Sequence, residues 1–212
     1  MTEIRGSTET KFREEYARQV LLAIYSEKYL ESSLADKPDI QNYNKHIGVE
    51  VTETMKQRLR YGVAQFSSLY NKHISEVTSK KKDQLKKHKI RLDTNNEGII
   101  KFILPEAFWG GVNQSIEAFN NKLNKLNDGN YKIFKENNLF LYAEGEEEYE
   151  VIDLIKHIKE SKKSNRKFDY IFVFTFKDLY AISTNDYSFE IFMITEEQRK
   201  NFSLEAAKVV IT

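Results

Sequence analysis

Apolar stretches of strand length alternate with helix-period segments along this chain, and this order restricts its fold more than any other feature. KFREEYARQVLLAIYSEKYLESSL repeats apolar residues every three or four positions, whereas KHIGVEVT, NLFLYAE and FDYIFVFTFKDLYAIS are rich in aromatic and β-branched residues. The predicted order is α-β-β-α-β-α-β-α-β-β-α. Such alternation indicates an α/β protein with helices packed against a sheet.

Length and composition are consistent with one domain over residues 1–212, because a chain of this size buries a sizeable core and contains no repeat or low-complexity linker. The net charge of +1 does not by itself indicate a polyanionic partner. The absence of cysteine excludes disulfides, thiolate nucleophiles and sulfur-bound metals. No apolar run is long enough to span a bilayer, so we expect a cytoplasmic protein without a membrane partner.

Two longer helices follow from apolar spacing. From Glu53 the apolar residues recur every three or four positions as far as Val77, which predicts a helix of about six turns. A last helix is predicted in TEEQRKNFSLEAAKVVI, with Thr195 as its N-cap.

Two acids occur in and beside the predicted strands. Asp39 follows Pro38, and Glu50 lies within an otherwise apolar run. Because side chains alternate along a strand, Asp39 shares one face with Gln41, and Glu50 shares one with Thr52. If the two strands pair, the two acids lie close together. Carboxylates at such a short distance repel each other unless a cation lies between them. Oxygen ligands suit Mg²⁺ or Mn²⁺.

Pro38-Asp39, followed by the apolar strand of residues 47–51 bearing Glu50, resembles the motif of the PD-(D/E)XK, or restriction-endonuclease-like, nuclease superfamily. The likeness covers residues 11–80 and implies a central mixed sheet flanked by helices. By this resemblance Asp39, Glu50 and the backbone carbonyl of Val51 hold the metal, and Glu15 or its neighbour Glu14 supplies a further acid. The core would span about residues 11–104, with a C-terminal α/β extension over 105–212.

The sequence departs from this family at one position, because Thr52 stands where the motif has lysine. A hydroxyl can orient water but supplies no fixed positive charge. We therefore expect Gln41 or Thr52 to position water, with Lys56 as a candidate for a relocated lysine. Gln65 and Tyr70 on the following helix are weaker candidates for nucleic-acid contact.

The resemblance implies an Mg²⁺-dependent endonuclease acting on DNA, and such proteins often belong to defence systems or mobile elements. The alternative is a catalytically silent nuclease-like scaffold that binds nucleic acid or a partner protein. This alternative is considered because Thr52 replaces the lysine of the motif. A third hypothesis is a nuclease that depends on a partner protein or on homodimer formation. For single residues, Asp39 is alternatively a turn residue and Glu50 a strand residue paired to a lysine.

A basic segment follows the predicted second helix and is a candidate for contact with a phosphate backbone. A solvated helix face is the other interpretation. Its members are Lys80, Lys81, Lys82, Lys86, Lys87, Lys89 and Arg91.

Overall fold

The computed structural model describes residues 3–54, 68–87, 90–105, 112–129, 131–143, 146–161, 165–175 and 177–211. The chain divides into two compact units, Met1–Thr54 with Ser115–Thr212 and Met55–Gln114. The smaller unit is thus inserted into the sequence of the larger one.

The helices of the described residues are α1 (Glu3–Ile24), α2 (Ser26–Tyr29), α3 (Ser79–Lys87), α4 (Val112–Asn127), α5 (Glu148–Glu160) and α6 (Glu196–Ile211). The strands are β1 (Ser33–Leu34), β2 (Ile40–Asn42), β3 (Ile47–Glu53), β4 (Ile90–Thr94), β5 (Ile100–Pro105), β6 (Glu136–Tyr142), β7 (Tyr170–Phe174), β8 (Asp178–Ser183) and β9 (Phe189–Met193). Among these helices, none is both long enough and apolar enough to cross a membrane.

The larger unit is built on a seven-stranded mixed sheet in the order β1-β2-β3-β6-β7-β8-β9. A tight turn joins β2 to β3, which pair antiparallel, whereas β3, β6 and β7 are parallel neighbours. Parallel neighbours require crossover connections, and α4 and α5 lie in those two connections. The predicted α/β class with a central mixed sheet flanked by helices is confirmed. Strands β6 to β9 come from the predicted C-terminal extension, so that region completes the sheet that holds the motif.

Helices cover both faces of this sheet because the side chains of each strand alternate. On β7, Phe174 packs against Tyr16 of α1 with ring centroids 5.9 Å apart, and Tyr16 in turn contacts Phe202 of α6 at 5.7 Å. Ile171 faces the other way, towards α4 and α5. On β3, Val49 and Val51 join the core beneath α1. Glu50, between them, therefore points to the opposite face, where α4 lies.

The smaller unit has its own core and corrects one prediction. Residues 55–67 of the predicted helix over Glu53–Val77 lie outside the described residues, but the helix does not continue to Val77. The backbone N–H of Asn71 instead donates to the carbonyl of Ile100 at 3.0 Å, and that of Ile74 donates to Gly98 at 2.9 Å. Pairing with this neighbouring segment replaces helical hydrogen bonds. Ile74 and Val77 pack with the buried residues Leu69, Leu85, Ile90 and Ile100.

Candidate functional site

Asp39 and Glu50 lie beside each other on the β2–β3 hairpin, as the strand pattern predicts. Ile40 pairs with Val49, so Asp39, one residue earlier, is placed opposite Glu50. The Asp39 carboxylate accepts a hydrogen bond of 2.7 Å from the backbone N–H of Val51. The pairing between β2 and β3 ends at Ile40 and Val49, so the N–H of Val51 has no backbone partner in β2. The Asp39 carboxylate takes the place of that partner. The hairpin therefore holds Asp39 against the strand that carries Glu50.

Glu50 forms a buried ion pair with Lys122 of α4. The side chains of Glu50 and Lys122 are only 7% and 16% exposed. Lys122 Nζ donates to one carboxylate oxygen of Glu50, and the other oxygen, Oε2, is buried and has no hydrogen-bond partner among the described residues. Buried polar atoms in folded proteins are nearly always bonded to protein, water or an ion. Glu50 thus has one neutralised oxygen, and the buried Tyr131 hydroxyl lies close enough to Glu50 to interact with the carboxylate.

Glu14 of α1 is the third acid of this group. Burial, followed by the charges of Asp39 and Glu50, raises the pKa of Glu14 to about 7. Burial and the charge of Glu50 likewise raise the pKa of Asp39 to about 6, against the lowering effect of Val51 and Lys122. We call Glu14, Asp39, Glu50 and Lys122 the acid cluster. It contains more negative than positive charge, which disfavours the ionised forms of Glu14 and Asp39.

Tyr131 and Gln41 add two more buried oxygen atoms beside the acid cluster. Burial, followed by the charge of Glu50 and a hydrogen-bonding interaction with that carboxylate, raises the pKa of Tyr131, although the contact falls outside normal hydrogen-bond geometry. The Gln41 amide nitrogen donates to the carbonyl of Pro38 at 2.8 Å, while its Oε1 is buried without a partner in the described part of the chain. Gln41 therefore braces the loop that carries Asp39.

Glu15 is engaged by neighbours on α1, whereas Thr52 lies on the expected face of β3. The Glu15 carboxylate accepts two hydrogen bonds from Arg18, at 2.7 and 2.8 Å, and a third from Gln19 at 2.7 Å. These bonds occupy both of its oxygens, so Glu14 rather than Glu15 is the acid of α1 that interacts with Asp39 and Glu50. Thr52 is half-buried and lies two residues beyond Glu50 on the same face of β3.

Lys122 is the residue that sequence reasoning missed. It lies three residues after Phe119 and four before Leu126, both of which are buried on α4. A lysine on the buried face of an amphipathic helix requires a counter-charge, because an unpaired buried ammonium is strongly disfavoured. The place of Lys122 on the buried face of this helix was the sequence signal that could have identified it. Lys56, the expected relocated lysine, and Gln65 lie outside the described residues.

The basic segment belongs to the smaller unit. Lys80, Lys82, Lys86 and Lys87 are exposed on α3, and Arg91 is exposed on β4, whereas Lys89 falls outside the described residues. This arrangement agrees with a solvated helix face and leaves phosphate binding by this segment a prediction.

The donors of the acid cluster suit a hard divalent cation, because all its unbonded groups are oxygens. Within the described residues, no three histidine, cysteine or acidic side chains are grouped closely enough to hold a metal ion by themselves. The unpartnered Oε2 of Glu50, next to the raised pKa values of Asp39 and Glu14, is the observation that fits a bound cation. Lys122 neutralises Glu50 in part.

Comparison of the chain with models of protein families, with curated proteins and with solved structures finds no match.

The raised pKa values predict how stability depends on pH when no divalent metal is present. The pKa of Asp39 rises from 3.8 unfolded to about 6 folded, so the folded state binds more protons between those values. The free energy of unfolding should therefore fall as the pH rises from 4 towards 7, and then level off. Asp39→Asn should remove this penalty and stabilise the protein at pH 8 by about 2 kcal/mol, with little effect at pH 4.

Urea denaturation in EDTA at a series of pH values measures this effect. Asp153→Asn is the matched control, because Asp153 is a half-exposed acid paired only with Lys156 at 2.8 Å among its described contacts. Equal stability of Asp39→Asn and the unmodified protein at pH 8 would contradict the raised pKa of the buried Asp39 carboxyl.

Proposed function

We propose that this chain is a metal-dependent nuclease that hydrolyses phosphodiester bonds in DNA. The observation that carries the proposal is the electrostatic coupling of Glu14, Asp39 and Glu50 beside Lys122, with Glu50 Oε2 buried and without a hydrogen bond of normal geometry. Acids whose pKa values are raised by burial and by one another cluster at functional sites. The position of Asp39 before the strand of Glu50 also supports the proposed relationship to the PD-(D/E)XK nucleases.

In this proposal Asp39 and Glu50 hold Mg²⁺ or Mn²⁺, and Glu14 is the third acid in place of Glu15. The N–H of Val51 binds Asp39, and the N–H and C=O of one strand residue point to the same side. The Val51 carbonyl therefore lies along the same strand edge and is the proposed backbone ligand. When bound, the metal supplies Lewis acidity to the phosphate and lowers the pKa of water.

Lys122 provides the positive charge that Thr52 cannot supply. Its ammonium group is buried next to Glu50 and donates hydrogen bonds in a site with little water, where charge stabilisation is strong. We assign it to the developing negative charge on the phosphate. Tyr131, whose hydroxyl lies near Glu50, is placed to donate to that carboxylate and so to position it. Thr52 remains a candidate for orienting water on the same face of β3.

A second candidate is the catalytically silent scaffold that binds nucleic acid or a partner protein. The ion pair between Glu50 and Lys122 favours it, because a neutralised carboxylate needs a cation less than a free one does. Two further hypotheses stay predictions: that the nuclease depends on a partner protein or on homodimer formation, and that it belongs to a defence system or mobile element.

Calorimetry with Mn²⁺ separates the two candidates. The enzyme should bind one Mn²⁺ per chain at pH 8, and both Asp39→Asn and Glu50→Gln should weaken this binding at least tenfold, since each removes a charged ligand. The control Asp153→Asn should bind as the unmodified protein does. Mn²⁺ binding that is absent, or that is unchanged in both variants, would refute the metal site and leave the scaffold.

A further inference from the structure

The β2–β3 turn displays an aromatic ring beside a second loop. Tyr43 begins this turn and is 56% exposed. Its ring contacts the buried ring of Phe134 edge to face, with centroids 5.8 Å apart. Lys132 lies in the same loop as Phe134, and its Nζ is 4.2 Å from the centroid of the Tyr43 ring. The ring is thus held in place while more than half of its surface remains open to solvent.

Four exposed lysines lie on the two segments that meet at this ring, and we call them, with Tyr43, the Tyr43 surface: Lys37, Lys45, Lys132 and Lys135. Two acids lie next to these residues. Asp36 is 3.9 Å from Lys37, with both side chains largely in solvent, and Glu136 pairs with Lys28 instead. A third acid, Glu31, accepts a hydrogen bond from Asn44 in the turn. The surface therefore keeps a net positive charge.

The Tyr43 surface adjoins the acid cluster through two short connections. The backbone N–H of Lys132 donates to the carbonyl of Lys37 at 3.0 Å, and Lys37 precedes Asp39 by two residues. Tyr131, next to Lys132, is close enough to Glu50 for that charge to raise its pKa. Gly48 makes this packing feasible, because a Cβ at this position would lie 2.6 Å from Pro38 and 2.7 Å from Phe134.

We propose that the Tyr43 surface binds an unpaired strand of DNA and directs it to the acid cluster, an inference that rests on the proposed nuclease function. The acid cluster repels phosphates, so a neighbouring cationic surface is needed to attract a polyanion. An exposed tyrosine offers a stacking face to a base. A base in a duplex is already stacked on both sides, whereas a base in a single strand has a free face.

Fluorescence anisotropy in EDTA tests this without cleavage, using a labelled oligothymidine of about 15 nucleotides. We expect Tyr43→Ala to weaken binding about tenfold and Tyr43→Phe to keep it within about twofold, because the ring rather than the hydroxyl stacks. Lys132→Gln should weaken binding and reduce its dependence on salt by the equivalent of about one phosphate contact. Tyr149→Ala is the matched control, since Tyr149 is a 65% exposed tyrosine on α5.

Three results would overturn the inference: an unchanged affinity in Tyr43→Ala, an equal loss in Tyr149→Ala, or tighter binding to a duplex or to single-stranded RNA than to the DNA strand. Binding that depends on Tyr43 without any cleavage in Mn²⁺ would refute only the nuclease proposal. Cleavage that depends on Glu50 but not on Tyr43 would refute only the proposed strand-binding surface.

Discussion

Glu50→Gln is expected to lower the rate of Mg²⁺-dependent DNA cleavage by about 10³-fold, because it removes the central charged ligand and so several kcal/mol of transition-state stabilisation. The substitution keeps the size of the side chain and removes one of three mutually repelling charges. Because it also leaves the Lys122 ammonium without its counter-charge, we expect the variant to be less stable than the unmodified protein at pH 8. A large loss of activity at a temperature where the variant is still folded distinguishes chemistry from folding.

Gel assays of labelled single- and double-stranded DNA with Mg²⁺ or Mn²⁺ measure this rate, with thermal denaturation as the check on folding. Lys122→Met tests the assigned cation in the same assay and should reduce the rate about 10²-fold while retaining Mn²⁺ binding. Asp153→Asn should cleave at the unmodified rate. If Glu50→Gln cleaves as fast as the unmodified protein, any nuclease activity comes from elsewhere or from a contaminant.

The second large effect concerns stability rather than catalysis. Lys122→Met should destabilise the metal-free protein at pH 8 by about 3–5 kcal/mol, because it leaves the buried Glu50 carboxylate without its counter-charge. The double variant Lys122→Met with Glu50→Gln should recover most of this loss, because no unpaired charge remains. The result would show that the two residues act as a pair.

Urea denaturation of the two single variants and the double variant gives the coupling free energy directly. Lys156→Met is the control for removing an exposed lysine, since Lys156 and Asp153 form a solvent-exposed pair that contributes little. Additive effects of Lys122→Met and Glu50→Gln would contradict the buried ion pair.

Local sequence pattern was sufficient for most of the sheet and for the central pair of acids. An apolar run with β-branched residues identified the strand of Glu50, and a short connection to Asp39 implied a hairpin, so their juxtaposition needed only neighbouring residues. Thr195 was also predicted correctly as an N-cap, because its hydroxyl accepts from the backbone N–H of Gln198.

Features that depend on distant parts of the chain were not predictable in this way. Nothing local decides between Glu14 and Glu15, which are neighbours on α1, until Arg18 is seen to bind Glu15. Lys122 is 72 residues from Glu50, so only the fold brings them together. The helix predicted through Val77 failed for a similar reason, because pairing with the segment around Ile100 overrides helical spacing.

The insertion of residues 55–114 between the two halves of the larger unit has a consequence for how the protein is made. A growing chain that emerges from the ribosome exposes Glu14, Asp39 and Glu50 well before Lys122 has been synthesised. The three acids are therefore synthesised before Lys122, and the acid cluster is complete only after α4 has packed against the sheet. The site of the proposed nuclease is therefore incomplete until the second half of the larger unit has been synthesised.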